Sequence, residues 1–171
     1  DSSVSYECAL KYFALHDAKD LGSQPALHKR IVQGLIITIR SPQLFRCDEL
    51  SQLSVVRELE SDAKFAPLHK LLHIMARETY AEFLAFTGDA KAKAFLAEQN
   101  LPVDALARKM RLLTLVSLGH GSKELSYGEI AKGLQVPADA VEDWVMEAIG
   151  AGLITAKMDQ VGEMVTVSMC A

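Results

Sequence analysis

Leu27, Ile31, Leu35 and Ile39 recur every fourth residue, which places them on one face of a helix. Ser23 and Pro25 mark its start, with proline tolerated in the first turn, and Pro42 helps to end it. Upstream, Val4 to His16 carries Cys8, Ala9, Tyr12 and Phe13 at helical spacing, and "DAKDLGSQ" reads as a loop. "SPQLFRCDELSQLSVVRELE" reads as two short helices, the second from about Ser54. "APLHKLLHIMARETYAEFLAF" reads as one further helix with Leu68, Leu71, Leu72 and Met75 inward. A break at Gly88 then precedes "DAKAKAFLAEQ". Short helices without a β pattern predict an α-helical array of the TPR-like or HEAT-like kind. No fixed repeat period occurs, so a TPR motif itself is not supported.

"DALARKMRLLTLVSLG" differs from these helices. Its first half is amphipathic, with Arg108, Lys109 and Arg111 expected in water. Its second half, Leu112 to Leu118, is apolar on nearly every side, which predicts burial all round and a place between two packed bodies. After Gly119-His120-Gly121 the pattern changes, and "GHGS" reads as a linker. "ELS" can form a very short strand. Ser126 and Glu129 fit a capping box that opens the helix "YGEIAKGL". Gly133 and "QVP" make a turn into a second helix with Pro137 in its first turn and Val141, Trp144, Val145, Ala148 and Ile149 as its core stripe. Gly152 stops that helix. "LITAKM" and "MVTVSM" around "DQVGE" form a hairpin, with Val165, Val167 and Met169 on one face and Thr166 and Ser168 on the other. Strand, helix, helix, hairpin is the order of a winged helix. The fold class expected is therefore mainly α: a helical array over 1–102, a buried connecting helix over 103–119, and a winged-helix subdomain with a small antiparallel sheet over 120–171.

Composition adds limits. Half of the 171 residues are hydrophobic, enough for a core, and net charge is −4. From Lys123 onward there are three lysines against eight acids, so the acidic part is C-terminal. Cys8, Cys47 and Cys170 are far apart and form no C-x-x-C, which reads as reduced, buried thiols of a cytosolic or nuclear protein. The longest apolar runs are too short to span a membrane. The chain begins at Asp1 without Met and is expected to be part of a longer product.

Candidate chemistry is sparse. His69 and His73 have an i, i+4 spacing that suits zinc, but the intervening residues are Lys70, Leu71 and Leu72, and no third ligand has local spacing. Phosphate-loop, dinucleotide and nucleophile-elbow motifs do not occur. Glu142 and Asp143 are adjacent on a helix and do not converge. No catalytic, metal or cofactor site is expected. A winged helix that reads DNA neutralises phosphate with Lys and Arg, whereas this second helix carries Asp139, Glu142, Asp143 and Glu147. The wing adds Asp159 and Glu163, with Lys157 as the nearby cation, so direct nucleic-acid binding through this face is not expected. The basic triplet Arg108, Lys109 and Arg111 reads as a solvated face, with an accessory contact as the alternative. What remains is protein interaction. A small open sheet exposes backbone groups that pair with a neighbour's strand, which nominates Glu124, Leu125 and Ser126 with Met164, Val165, Thr166, Val167 and Ser168, either edge being open to choice.

"KMRLLTLVSL" (109–118), "ELSYGEIAKGLQVPADAVEDWVMEAIGAGLI" (124–154) and "AKMDQ" (156–160) together resemble the PCI domain, the module shared by the proteasome lid, the COP9 signalosome and translation initiation factor 3. "SPQLFRCDELSQLSVVRELE" with "LHKLLHIMARETYAEFLAF", and "VTVSM" at the end, are more similar to the initiation-factor branch. The "RLLT" helix and the "K-x-D-Q" turn are shared with a signalosome member, whose last strand reads differently. The resemblance implies a non-catalytic, cytoplasmic scaffold. Its partners would be other PCI subunits of initiation factor 3 and, through the complex, the small ribosomal subunit, with no membrane and no cofactor.

Overall fold

The computed structural model describes residues 2–16, 25–42, 44–45 and 48–170. The expected loop "DAKDLGSQ" and Cys47 lie outside the described residues, as do the side chains of Ala9, Met169 and Cys170. The chain divides into two compact units: Asp1–Glu78 with Phe83–Leu106, and Thr79–Glu82 with Ala107–Ala171.

The first unit is helical. It contains α1 (Ser2–Ala14), α2 (Pro25–Arg40), α3 (Asp48–Gln52), α4 (Ser54–Arg57) with a 3-10 turn at Glu58–Glu60, and α5 (Ala66–Arg77). Most of α6 (Tyr80–Gly88), α7 (Ala90–Glu98) and the first turn of α8 (Val103–Gly121) complete it. The α2 stripe is inward as its spacing predicts, and Leu68, Leu71, Leu72 and Met75 of α5 are buried likewise. Each such side chain contributes roughly 1.5–3 kcal/mol when fully buried. The thiol expectation fails at Cys8, which is exposed. Tyr6 and Phe13, seven residues apart, take the inward face of α1, and Cys8 sits about 200° round the helix from Tyr6.

"APLHKLLHIMARETYAEFLAF" is two helices rather than the expected one. Glu78 is extended (φ −110, ψ 177), and α6 opens at Tyr80. The Glu82 carboxylate accepts from the Thr79 backbone N–H at 2.8 Å and from its hydroxyl at 3.1 Å. A new helix start is thereby satisfied locally, and hydrophobic periodicity does not register it.

The second unit holds the rest of α8, β1 (Glu124–Ser126), α9 (Tyr127–Leu134), a 3-10 turn at Ala138–Ala140, α10 (Val141–Gly150), β2 (Ile154–Asp159) and β3 (Met164–Cys170). Gly119, His120 and Gly121 form the last turn of α8, so the linker expected at "GHGS" shrinks to Ser122–Lys123. The Ser126–Glu129 capping box forms in both directions. Gln135 ends α9 in the left-handed region (φ 52), and Gly152 follows α10 with φ 71. The strand order is β1-β3-β2, all antiparallel, with a register irregularity between Thr155 and Ala156. Leu125 faces Val165 across β1 and β3, and both side chains are buried with Val167. The acidic helix α10 buries Val141, Val145 and Ala148. Ile149, expected in the core, is 37% exposed: it lies about 80° round α10 from Val141, at the margin of the buried stripe and toward Met146, which is 51% exposed.

Candidate assembly surface

The sheet edges follow from backbone alternation. Tyr127 N–H donates to Glu163 C=O at 2.9 Å, and Val167 N–H donates to Lys123 C=O at 2.7 Å. The β1-facing groups of β3 are therefore those of Glu163, Val165 and Val167, and Met164 and Thr166 point toward β2. Their partners in register are Asp159 and Lys157. Met164 to Val167 thus lie in a strand paired on both sides, which corrects the expectation that "MVTVS" offers an open edge there. Of its five residues Ser168 lies past the β1 register, and its hydroxyl donates to Thr155 C=O at 2.9 Å. The chain order hid this, because a hairpin fixes the β2–β3 pairing but not which of the two strands β1 joins.

Glu124 and Ser126 turn their backbone groups to the outer side of β1. There the Ser122 hydroxyl donates to Glu124 C=O at 2.8 Å, and Ser126 N–H donates to Glu129 Oε2 at 2.8 Å. The expected β1 edge is short and its outward groups are largely engaged. On β2, by contrast, Lys157 and Asp159 face β3, so the N–H and C=O groups of Ala156 and Met158 point to the outer edge. Those two residues were absent from the sequence-derived set.

The basic triplet separates into three environments. Arg108 is exposed and its Nε–H donates to Glu147 Oε1 at 2.6 Å, a bond that raises the Arg108 pKa further. Lys109, expected in water, is only 4% exposed. The all-round apolar character of α8 reaches back past Met110 to its position, and a lysine stem packs as an apolar chain. Arg111, also expected in water, is half-buried. Its guanidinium lies 4.4 Å from the Tyr80 ring centroid and 5.4 Å from that of Trp144, and its Nε–H donates to Leu134 C=O at 3.0 Å. That cage draws on four elements scattered in sequence, and no local spacing announces it.

The α10 acids also divide. Glu142 accepts from the Tyr127 hydroxyl at 3.1 Å and from Gln160 Nε2 at 2.9 Å. Burial, and then that carboxylate, push the Tyr127 pKa up. Glu147 takes Arg108. Asp139 and Asp143 are exposed. The wing turn is held by Asp159, whose Oδ1 accepts from the Val161 and Gly162 N–H groups at 3.1 and 3.0 Å. Of the candidate zinc pair, His69 is half-buried and His73 is exposed, 3.7 Å from Glu78. Among the described residues no three His, Cys, Asp or Glu side chains form a metal-holding group, and no helix is long and apolar enough to cross a membrane.

Along the chain, a helical unit is followed by a three-stranded winged helix in which Glu142 and Glu147 serve as internal hydrogen-bond acceptors. The PCI domain family model matches residues 56–169, and the chain belongs to that family. It is similar to subunit M of eukaryotic translation initiation factor 3. The Pyricularia oryzae protein is 33% identical over 156 residues, covering 89% of this chain and 35% of the relative. The Emericella nidulans protein is 34% identical over 148 residues (81% and 32%), and the Drosophila melanogaster protein is 32% identical over 134 (78% and 33%). The chain spans about a third of the length of these curated relatives.

Proposed function

We propose that this chain is the PCI part of a subunit M of translation initiation factor 3, working as a non-catalytic scaffold in the cytoplasm. The observation that supports it most is the similarity to subunit M across both units. In this reading, residues 1–102, 103–119 and 120–171 act together as one PCI domain. Its partners are other PCI subunits of the factor, and the small ribosomal subunit is met through the complex. The surface for a neighbouring subunit is the outer edge of β2, where Ala156 and Met158 carry outward backbone groups. Backbone pairing there extends the sheet without help from the central strand.

The test is Ala156→Pro with Met158→Pro in the full-length protein, which removes two outward N–H donors and leaves the inward groups of Lys157 and Asp159. Circular dichroism checks folding, and co-purified initiation-factor subunits are quantified. Recovery of those subunits should fall sharply while the helical signal persists. Undiminished recovery would rule out the β2 edge. Absence of initiation-factor subunits from the unaltered protein's partners would rule out the wider reading.

A further inference from the structure

Asp139 of the 3-10 turn, Asp143 of α10 and the apolar stripe beside them are left over once these internal bonds are assigned. Glu142 and Glu147 hold Tyr127, Gln160 and Arg108. Asp139 and Asp143 lie on the outer face, exposed. Met146 (51% exposed) and Ile149 (37%) follow Glu142 on one stripe at i+4 and i+7. The Glu142–Gln160 bond holds the wing beside the first turn of α10, and the wing tip is Val161, 97% exposed. An isolated exposed apolar residue needs no explanation. Here, however, three of the described chain's seven large exposed apolar side chains, Met146, Ile149 and Val161, fall on α10 and the wing joined to it. Carboxylates flank them.

We propose that this face of α10, with the wing tip, is a docking surface for a basic amphipathic helix of a partner protein. The charge argues for the partner's chemistry. Lysines or arginines at the rim of such a helix meet Asp139 and Asp143, and its apolar stripe covers Met146, Ile149 and Val161. A nucleic acid offers the wrong sign of charge and no apolar stripe. The surface is separate from the β2 edge, so it stands or falls independently of how the sheet pairs.

The experiment places a photo-crosslinking benzoylphenylalanine at Met146 of the full-length protein in its native assembly and sequences the crosslinked peptide. The expected peptide comes from another protein, carries Lys or Arg in excess and has apolar residues at i, i+3, i+4 spacing. Asp139→Lys with Asp143→Lys, both exposed and outside the core, should cut the crosslink yield about tenfold. These changes should leave initiation-factor subunits bound through the sheet edge, which keeps the two proposals distinguishable. A crosslink to RNA, to another segment of the same chain, or to an acidic or unpatterned segment would overturn the proposal. So would the absence of any crosslink, or a yield unmoved by the charge reversal.

Discussion

The hydroxyl of Tyr127, the first residue of α9, donates to Oε1 of Glu142 in α10 at 3.1 Å. The same carboxylate takes the side-chain amide of Gln160 through its other oxygen. One acid on the helix that would enter a groove in a DNA-binding relative thus ties together the preceding helix and the wing. Its negative charge is spent internally, as an acceptor for two neutral donors.

Tyr127→Phe removes one of those bonds and leaves Glu142 partly buried. The unfolding free energy should fall by about 1–2 kcal/mol in urea denaturation. Glu142→Ala, which loses both bonds, should cost more than Tyr127→Phe. The reverse ranking would show that Glu142 contributes little to the join.

Arg111 is held by two rings and one carbonyl, a geometry that a planar guanidinium matches and an ammonium does not. Arg111→Lys should lower stability by about 1–2 kcal/mol. Trp144 is the chain's single tryptophan, so its emission reports the cage directly. A shift in its emission maximum is expected in the variant, and an unchanged spectrum would mean that the stacking is not populated.

A Cβ at position 34 would lie 2.6 Å from the Phe13 ring carbon Cζ. Phe13 is buried, so its ring has little room to move. Gly34→Ala gains about 1 kcal/mol of helix propensity but should lose about 1–3 kcal/mol to overpacking. The clash depends on the ring, so the same change in a Phe13→Leu background should be stabilising. A double-mutant cycle measures that difference, and additivity would refute the clash.

Glu129 accepts from the Ser126 backbone N–H and hydroxyl, which lowers its pKa below the ordinary 4.5. A carboxylate with a depressed folded pKa stabilises fully above the unfolded value, and that contribution is lost as pH falls through the folded one. The urea midpoint should therefore decline as pH drops below about 4.5. Part of that decline should vanish in Glu129→Gln, whose amide oxygen still accepts the N–H. An identical pH profile in the two proteins would remove the capping box from the acid response.

Much of this chain was legible because its information is local. Leu27, Ile31, Leu35 and Ile39 need only a helix's own period to find the same side. Ser126 and Glu129 need only three residues of spacing to cap α9. The hairpin needs only its turn chemistry, and the winged-helix order follows from reading these elements in sequence. The missed break at Thr79 is local too; its signal was "TYAE", a polar start followed three residues later by an acid, set inside an unbroken hydrophobic period.

Tertiary structure decided what depends on neighbours far along the chain. β1 and β2 flank β3, so the strand chosen for its alternation became the centre and the open edge moved to Ala156 and Met158. Lys109 and Arg111, one and three residues beyond Arg108, carry the same charge, yet of the three only Arg108 remains in water. Rotation about α8 sets which face each side chain shares, and packing partners decide whether a charge on that face is solvated, stacked or buried. Periodicity determines an element and its apolar stripe. Edge exposure and the use of each charge are settled only when distant segments pack, because backbone pairing and desolvation are properties of neighbours rather than of the sequence that carries them.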